Sequence, residues 1–185
     1  QLRDLYAVDL RSGTRELIAK GIQNPGGGFN SLLAPDGLRT AWYDDGAWNV
    51  YDFAGKRSRR VSDGASAVFW DDEDDHNVVK PPAAPPFGWS RDAKFLFVRD
   101  NWDVWRLAVD GGAALNVTAN GKVQGTRYQL RVGADAKERG IDLARPVFIE
   151  TYGERTKKEG LAQVDLQRGG TRTLSWEDAK VDYRK

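Results

Sequence analysis

The sequence has no cysteine, no methionine and only one histidine among its 185 residues. Without cysteine the chain cannot form disulfides, thiol nucleophiles or cysteine-ligated metal sites, although this absence does not assign a redox compartment. The absence of methionine extends to position 1, which is Gln. We therefore expect a processed or excised segment rather than a complete translation product.

The chain also lacks a charge excess of either sign and any long apolar run. It has 28 Lys and Arg against 27 Asp and Glu, so no global field favours nucleic acid or an anionic membrane. No apolar stretch approaches the ~20 residues of a membrane-spanning helix, and Gln1 does not begin a signal peptide. We expect neither a nucleic-acid partner nor a membrane partner.

Glycine and aromatic residues are abundant. Hydrophobic residues make up 40% of the chain and aromatic residues 11%, which is too much for a disordered segment. The 20 Gly and seven Pro stand between short apolar runs, where they are typical of turns that join many strands. The composition predicts an all-β protein with few helices.

A strand–turn–strand pattern recurs four times along the chain. Each copy has an alternating apolar and polar strand, a glycine-containing turn and a second strand, which in three copies ends near Ser or Thr, at residues 62, 118 and 175. The copies begin at Leu5, Asn49, Asp103 and Ala162. Each is typical of the outer hairpin of a propeller blade, because four-stranded blades repeat at about 40–45 residues and tolerate loop insertions.

A second shared element precedes two of these copies, at residues 34–43 and 89–98. Each is a polar turn that leads into a strand. Pro35 and Gly37 suit the first turn, whereas Ala93 occupies the glycine position of the second and predicts a weaker turn.

Together these repeats predict an all-β fold, a β-propeller segment of about four blades of four-stranded antiparallel sheets. The approximate blade boundaries are residues 1–24, 25–64, 65–120 and 121–176, and residues 177–185 are expected to start a further blade. A sandwich or barrel with ordinary hairpins is the alternative, and the repeated paired elements argue against it. About four blades do not close such a ring, so we expect self-association through the open edges or pairing with blades of another chain.

No set of residues predicts catalysis by this chain. A serine hydrolase needs a nucleophile on a strained turn, a histidine base and an orienting carboxylate. The nearest approach to the nucleophile motif, residues 64–68 around Ser66, lacks the final glycine and is expected to be a loop. His76 stands beside five acids, where a solvated side chain is expected. We assign no catalytic, cofactor-binding or metal-binding residues.

The strongest charge features are an acidic run at Asp71–Asp75 and a basic run at Lys56–Arg60. The adjacent carboxylates lack the glycine turn and the spaced ligands of a calcium loop, so a solvated, mobile or inter-domain loop is expected. The basic run alternates along a predicted strand and is expected to shield a hairpin edge.

Three further patterns indicate binding sites only weakly. The loop Pro25–Phe29 lacks the Lys-Ser/Thr pair and the helix of a phosphate site, so we expect it to connect two blades. Asn116 begins a three-residue glycosylation pattern that often occurs by chance. The seven tryptophans invite a carbohydrate-binding interpretation, but tryptophan on strands more often packs in the core or between blades.

Three stretches resemble the propeller of bacterial prolyl-oligopeptidase-like serine peptidases, the S9 family, in which the propeller precedes an α/β-hydrolase domain. The first runs from residues 74–76 through the proline-rich residues 81–86 into residues 87–92. The other two are residues 98–105 and residues 141–146 with 154–160. Only the aromatic-Gly-Trp run at residues 87–89 is shorter than the family's usual pattern.

The resemblance implies a parent propeller of about seven or eight blades that caps a catalytic domain and admits peptides but not folded proteins. The family's nucleophile, base and acid lie in the hydrolase domain, and none maps onto this sequence. The implied partners are a C-terminal α/β-hydrolase domain and peptide substrates, and the implied location is the bacterial periplasm or the cell exterior. A stand-alone propeller interaction module of the periplasmic scaffold type and a glycan-binding propeller are the alternatives.

Overall fold

The computed structural model describes residues 2–23, 32–73, 83–135 and 137–183. In these ranges the chain forms three four-stranded antiparallel sheets, one two-stranded sheet and one short helix. This architecture confirms the predicted class, an all-β propeller segment of four-stranded antiparallel sheets. No helix in the described ranges is long and apolar enough to cross a membrane.

The sheets are numbered in chain order. Sheet 1 contains β1 (Leu2–Val8) and β2 (Arg15–Gln23). Sheet 2 contains β3 (Leu32–Leu33), β4 (Arg39–Asp44), β5 (Ala47–Asp52) and β6 (Arg57–Arg60). Sheet 3 contains β7 (Gly88–Trp89), β8 (Phe95–Arg99), β9 (Val104–Ala108) and β10 (Leu115–Asn116). The helix α1 (Gly121–Gln124) precedes sheet 4, which contains β11 (Thr126–Val132), β12 (Val147–Gly153), β13 (Glu159–Val164) and β14 (Thr171–Glu177).

The four repeated hairpins of the sequence form the last two strands of each sheet, β1–β2, β5–β6, β9–β10 and β13–β14. Aspartate side chains organise all four of their turns. Asp9, Asp52, Asp110 and Asp165 each accept backbone N–H groups two or three residues ahead, at 2.6–3.0 Å. Because these turns are built from neighbouring residues, the hairpins are visible in the sequence itself.

The polar turns before β4 and β8 adopt the same conformation with different residues. Gly37 has a φ of 69° and Ala93 a φ of 56°, so both are left-handed. Each N–H donates to the carbonyl three residues earlier, at 2.9 Å. Ala93 is 1% exposed, so close packing holds alanine in a conformation that glycine adopts more easily.

The hydrophobic core lies between the sheets. Trp48 and Trp105 belong to the cluster between sheets 2 and 3, and Phe97 to the cluster between sheets 3 and 4. A smaller cluster around Ile22 joins sheet 1 to sheet 2. Four of the seven tryptophans are buried: Trp42, Trp48, Trp89 and Trp105. These four pack between blades, as the sequence predicted for aromatic residues on strands.

Residues 178–183 form no strand and lie against sheet 4. The N–H of Val181 donates to Glu159 Oε2 at 2.6 Å, and the hydroxyls of Ser175 and Tyr183 share a hydrogen bond at 2.5 Å. The predicted start of a further blade therefore contacts sheet 4 in the described chain.

Candidate functional site

The first strands of sheets 2, 3 and 4 border one cavity, which we call the inner cavity. It has a volume of about 410 Å³ and is lined by β3, by β7 and by residues 129–131 of β11. The loop between β11 and β12 and the segment Pro85–Phe87 complete its wall. Since propeller blades surround a central channel, the meeting of three first strands places this cavity at the channel position.

The inner cavity combines apolar walls with a charged rim. Its apolar lining includes Leu32, Pro86, Phe87, Trp89 and Leu130. Arg131 forms an ion pair with Glu138, and only 12% of the Arg131 side chain is exposed. Burial lowers the pKa of Arg131 below its ordinary value. Asp135 and Arg139 line the cavity from exposed positions on the β11–β12 loop. Such a site suits a ligand with apolar side chains and a polar backbone.

The loop between β11 and β12 holds the cavity wall in place by crossing to sheet 3. Ile141 donates its N–H to the Trp89 carbonyl at 2.8 Å, and its own carbonyl accepts the Arg91 N–H at 2.9 Å. Arg91 also pairs with Asp142 at 3.2 Å. Gly140 lies so close to Pro35 of sheet 2 that an added Cβ would be 2.8 Å from the proline ring. One loop of sheet 4 thus joins three sheets beside the inner cavity.

The loops β4–β5, β8–β9 and β12–β13 lie at one end of their sheets, which we call the upper face. Arg127 is the centre of a charged group there. It donates to Glu154 at 2.7 Å and to Glu73 at 2.5 Å, and its guanidinium lies 4.8 Å from the centroid of the Trp102 ring. Hydrogen bonds from Lys157 and then Arg127 hold the pKa of Glu154 below its ordinary value. Through Arg127, the connection between sheets 2 and 3, which carries Glu73, is linked to the β8–β9 loop of sheet 3 and to the β12–β13 loop of sheet 4.

The acidic run contributes its first three residues to this group. The Asn101 amide donates to Asp71 at 3.0 Å and also to Asp72. We call the group the upper-face cluster: Asp71, Asp72, Glu73, Asn101, Trp102, Arg127 and Glu154. The described part of the acidic run therefore contacts the neighbouring blades. The remainder, residues 74–75, and His76 lie outside the described residues.

Beneath the upper-face cluster, Arg99 crosses from sheet 3 to sheet 4. It donates to the carbonyls of Tyr128 at 3.4 Å and Gln129 at 2.8 Å, both on β11. Burial, and then the charge of Arg127, lower the pKa of Arg99 below its ordinary value. Arg99 thereby connects the upper face to a first strand that borders the inner cavity.

Two aspartates, the partly buried Asp100 and the buried Asp103, position the β8–β9 loop. Asp100 accepts the N–H groups of Trp102 at 2.7 Å and Asp103 at 2.6 Å, and the Trp105 indole N–H at 2.8 Å. Burial nevertheless raises the pKa of Asp100. Asp103 accepts from the Thr118 hydroxyl at 2.6 Å. The sequence placed this stretch in the third hairpin copy and in the family resemblance but did not predict its positioning role, for which the spacing Asp-x-x-Asp-x-Trp was the available signal.

The other residues singled out in the sequence do not converge with these sites. Ser66 is exposed in the connection after sheet 2, and the one histidine of the sequence, His76, lies outside the described residues. The Asn116 side chain accepts the Ala119 N–H at 2.8 Å in a turn. Residues 57–60 of the basic run form β6, the outer strand of sheet 2, and Lys56 lies in the turn before it. The loop at residues 25–29 lies outside the described residues. Within the described ranges, no group of three or more His, Cys, Asp or Glu could hold a metal ion.

Comparison with protein-family models and with curated proteins finds no match. An oligogalacturonate lyase of Vibrio parahaemolyticus is similar in structure, with a TM-score of 0.52 and 10% identity over 95% of this chain and 47% of that chain. A putative TolB from Agrobacterium tumefaciens is 14% identical over 94% of this chain and 74% of its own, with a TM-score of 0.36. An oligogalacturonate lyase in complex with manganese is 12% identical over 94% of this chain and 59% of its own, also with a TM-score of 0.36. The chain thus spans about half the length of the Vibrio protein, and the likeness supports the propeller fold alone.

Proposed function

We propose that this chain is a non-catalytic part of the propeller of an S9-like serine peptidase. In this role it gates the access of peptides to a hydrolase domain and supports that domain. The inner cavity carries the proposal, because three first strands enclose a narrow, apolar-walled space at the channel position. A space of about 410 Å³ admits a few extended residues and excludes a folded protein. The motifs shared with the peptidase family supply the second argument, including the location in the periplasm or outside the cell.

The upper-face cluster is the surface that we assign to the hydrolase domain. Interfaces between domains of one chain are commonly polar, and this surface offers carboxylates, a guanidinium and the partly exposed Trp102. Its ion pairs join three chain segments, so a domain resting on it would contact a pre-organised surface.

The isolated chain is expected to have no peptidase activity, because acyl transfer requires a nucleophile on a strained turn and its sequence has no G-x-S-x-G motif. Hydrolysis of proline-containing and unspecific fluorogenic peptides checks this, together with titration by an organophosphonate serine probe. The protein expressed from the complete reading frame serves as the comparison, and it should carry G-x-S-x-G, then Asp, then His downstream. Turnover by the isolated chain that the probe abolishes would contradict the proposal.

A stand-alone interaction module is the second candidate, and the upper-face cluster would equally serve a separate partner protein. A complete reading frame without the downstream hydrolase motifs would favour this alternative. A glycan-binding propeller would need exposed aromatic faces along a groove, yet four of the tryptophans are buried between blades. That burial argues against it.

We also propose that the outward faces of the first and last described sheets associate. On sheet 1 the exposed apolar side chains are Leu2, Tyr6, Val8 and Leu17, and on sheet 4 they are Leu130, Phe148 and Leu174. Within the described residues β1 pairs only with β2, which leaves one edge of β1 without a strand. In the proposed dimer, sheet 4 of each copy packs against sheet 1 of the other. Twofold symmetry then closes the two copies into a ring of about eight sheets.

Sedimentation velocity over a hundredfold range of concentration, roughly the span of a binding curve, tests this association. The isolated chain is expected to shift from monomer to dimer, and Phe148→Glu should suppress the shift by placing a charge in the contact. Leu10→Glu is the control, because Leu10 is 97% exposed at a turn. A compact monomer at every concentration would refute the pairing.

A further inference from the structure

A separate cavity, which we call the interblade cleft, opens between sheets 2 and 3 at the end opposite the upper face. It has a volume of about 300 Å³. Sheet 2 contributes residues of β4, β5 and β6, and sheet 3 contributes the start of β8 and the turn after β9. No residue lines both this cleft and the inner cavity. The proposed gating of peptides therefore makes no use of it.

The interblade cleft carries an excess of positive charge. Its lining includes four basic side chains, Arg39, Arg57, Arg59 and Lys94, against two carboxylates, Asp52 and Asp110. Arg39 pairs with Asp36 at 3.1 Å and lies 3.5 Å from Asp52. The Gly55 N–H, and then the charges of Arg39 and Arg57, hold the pKa of Asp52 below its ordinary value, so it remains ionised.

Two guanidinium groups in the interblade cleft have no ion-pair partner among the described residues. Arg57 and Arg59 alternate along β6 and therefore project from the same face of the strand. Arg57 lies opposite Asp52, and Arg59 lies opposite Val50 in the register with β5. The cleft thus presents two neighbouring guanidinium groups without an ion pair among the described residues, although Arg57 lies close enough to Asp52 to lower the pKa of that carboxyl.

Arg59 is exposed, and one side of it rests on the turn after β9. Its side chain lies against Gly111, where an added Cβ would be 3.3 Å from Arg59 Cδ and would overlap Nη1. Gly111 has a φ of 86°, which favours glycine. The turn after β9 thus supplies a backbone surface on which the guanidinium rests. A preset side chain loses less freedom when it binds a ligand.

The lining of the interblade cleft between these cations is apolar. Val50 is buried and Val109 is partly buried at the cleft, and both pack in the cluster between sheets 2 and 3. Phe95 borders the cleft, but its ring packs toward sheet 4, where Arg106 lies 4.6 Å from the ring centroid. A guanidinium binds a carboxylate through two parallel hydrogen bonds, and the adjoining apolar surface can take the hydrocarbon part of the same ligand. The volume is at the small end of ligand sites.

We propose that the interblade cleft binds a carboxylate carried on a small aliphatic body, such as the carboxy terminus of a peptide that ends in leucine. Arg57 and Arg59 hold the carboxylate, and Val50 and Val109 contact the aliphatic group. The ligand is bound without chemical change.

Isothermal titration tests the site with N-acetyl-leucine, acetyl-Gly-Gly-Leu-Leu, N-acetyl-leucinamide and inorganic phosphate. Binding of both carboxylates assigns a small organic acid, and binding of the peptide alone assigns a peptide carboxy terminus. The amide and phosphate should bind at least tenfold more weakly, on the order of one charged hydrogen bond. Methyl chemical shifts of Val50 and Val109 should move with each bound carboxylate.

A charge-matched pair of variants locates the binding. Arg57→Gln with Arg59→Gln should weaken carboxylate binding by about tenfold or more. Lys56→Gln with Arg60→Gln removes the same charge from residues paired to Glu16 and Asp63, and should change affinity by less than about twofold. Arg59→Lys keeps the positive charge but cannot form the two parallel hydrogen bonds of a guanidinium, so a loss of affinity between those of the two double variants is expected.

Three results would overturn the proposal: no carboxylate binding, equal affinity for the amide or phosphate, or equal losses in the two double variants. Circular dichroism and urea unfolding establish that each variant is folded. If the Arg57→Gln, Arg59→Gln variant does not fold, the test rests on the affinity of Arg59→Lys and on the methyl chemical shifts of Val50 and Val109. Unchanged affinity in Arg59→Lys, with no shift at Val50 or Val109, would then refute the site.

Discussion

Replacing Asp103 with alanine is expected to lower the free energy of unfolding by about 3 kcal/mol, because it strands buried donors that each cost roughly 1–3 kcal/mol. Asp103 is buried, and its Oδ1 accepts from the Thr118 hydroxyl at 2.6 Å and from the Gly121 N–H at 2.9 Å. The Thr118 oxygen in turn accepts the Val104 N–H at 3.0 Å. The substitution therefore loosens the junction between sheet 3 and α1. Urea unfolding followed by tryptophan fluorescence measures the loss.

Two further substitutions give this expectation its controls. Asp103→Asn retains an acceptor oxygen but lacks the charge, so its loss should lie between those of the parent and the alanine variant. Asp63→Ala removes an exposed carboxylate that pairs with Arg60, and should cost at most about 0.5 kcal/mol. An Asp103→Ala protein as stable as Asp63→Ala would show that the buried carboxylate does not hold this junction.

Gly160→Ala is expected to destabilise sheet 4 by about 3 kcal/mol through overpacking. A Cβ at Gly160 would lie 2.5 Å from the Ser175 carbonyl oxygen, 2.6 Å from Trp176 Cε3 and 2.8 Å from Thr151 Oγ1. The carbonyl and the ring both belong to β14, so relief requires that β14 move away from β13. Hydrogen exchange should therefore show faster exchange of β14 amides, in addition to the lower unfolding free energy.

Gly55→Ala is the matched control for this substitution. The atoms nearest to its added Cβ are side-chain atoms of Arg57 and Asp52, at 3.3–3.5 Å, and these side chains can shift. A change within about 0.5 kcal/mol is expected. If Gly160→Ala also stayed within that range, with β14 exchange unchanged, the close approach of β14 to Gly160 would be wrong.

Prediction of the fold from the sequence succeeded where the signal was local. The hairpins were found because an aspartate and a glycine within a few residues determine each turn. The first strands β3 and β7 have two residues each, which is too few for an alternating pattern. Their place in the sheets is therefore shown only by their pairing with β4 and β8 in the structure. The turn at Ala93 was expected to be weak, yet it has the same backbone conformation as the turn at Gly37.

Prediction of sites was limited by sequence distance. Arg127 is 54 residues from Glu73 in the sequence and 27 residues from Glu154, so no local sequence pattern predicted the upper-face cluster. The basic run suggested only edge protection, because the sequence does not show that Gly111 lies against Arg59. The sequence of the acidic run likewise did not predict that the Asn101 amide donates hydrogen bonds to its first two residues, Asp71 and Asp72.

The amino-acid sequence by itself determined the all-β class, the repeated outer hairpins and the absence of cysteine chemistry, because alternation, turn residues and composition act over a few neighbouring positions. Only the tertiary structure decided which side chains share a cavity or a buried network. Packing sheets 2, 3 and 4 side by side made the inner cavity from β3, β7 and β11, and it made the interblade cleft from β6 and the turn after β9. The physical reason is that contacts between blades join residues far apart in the chain, where packing and burial rather than local propensity set the geometry.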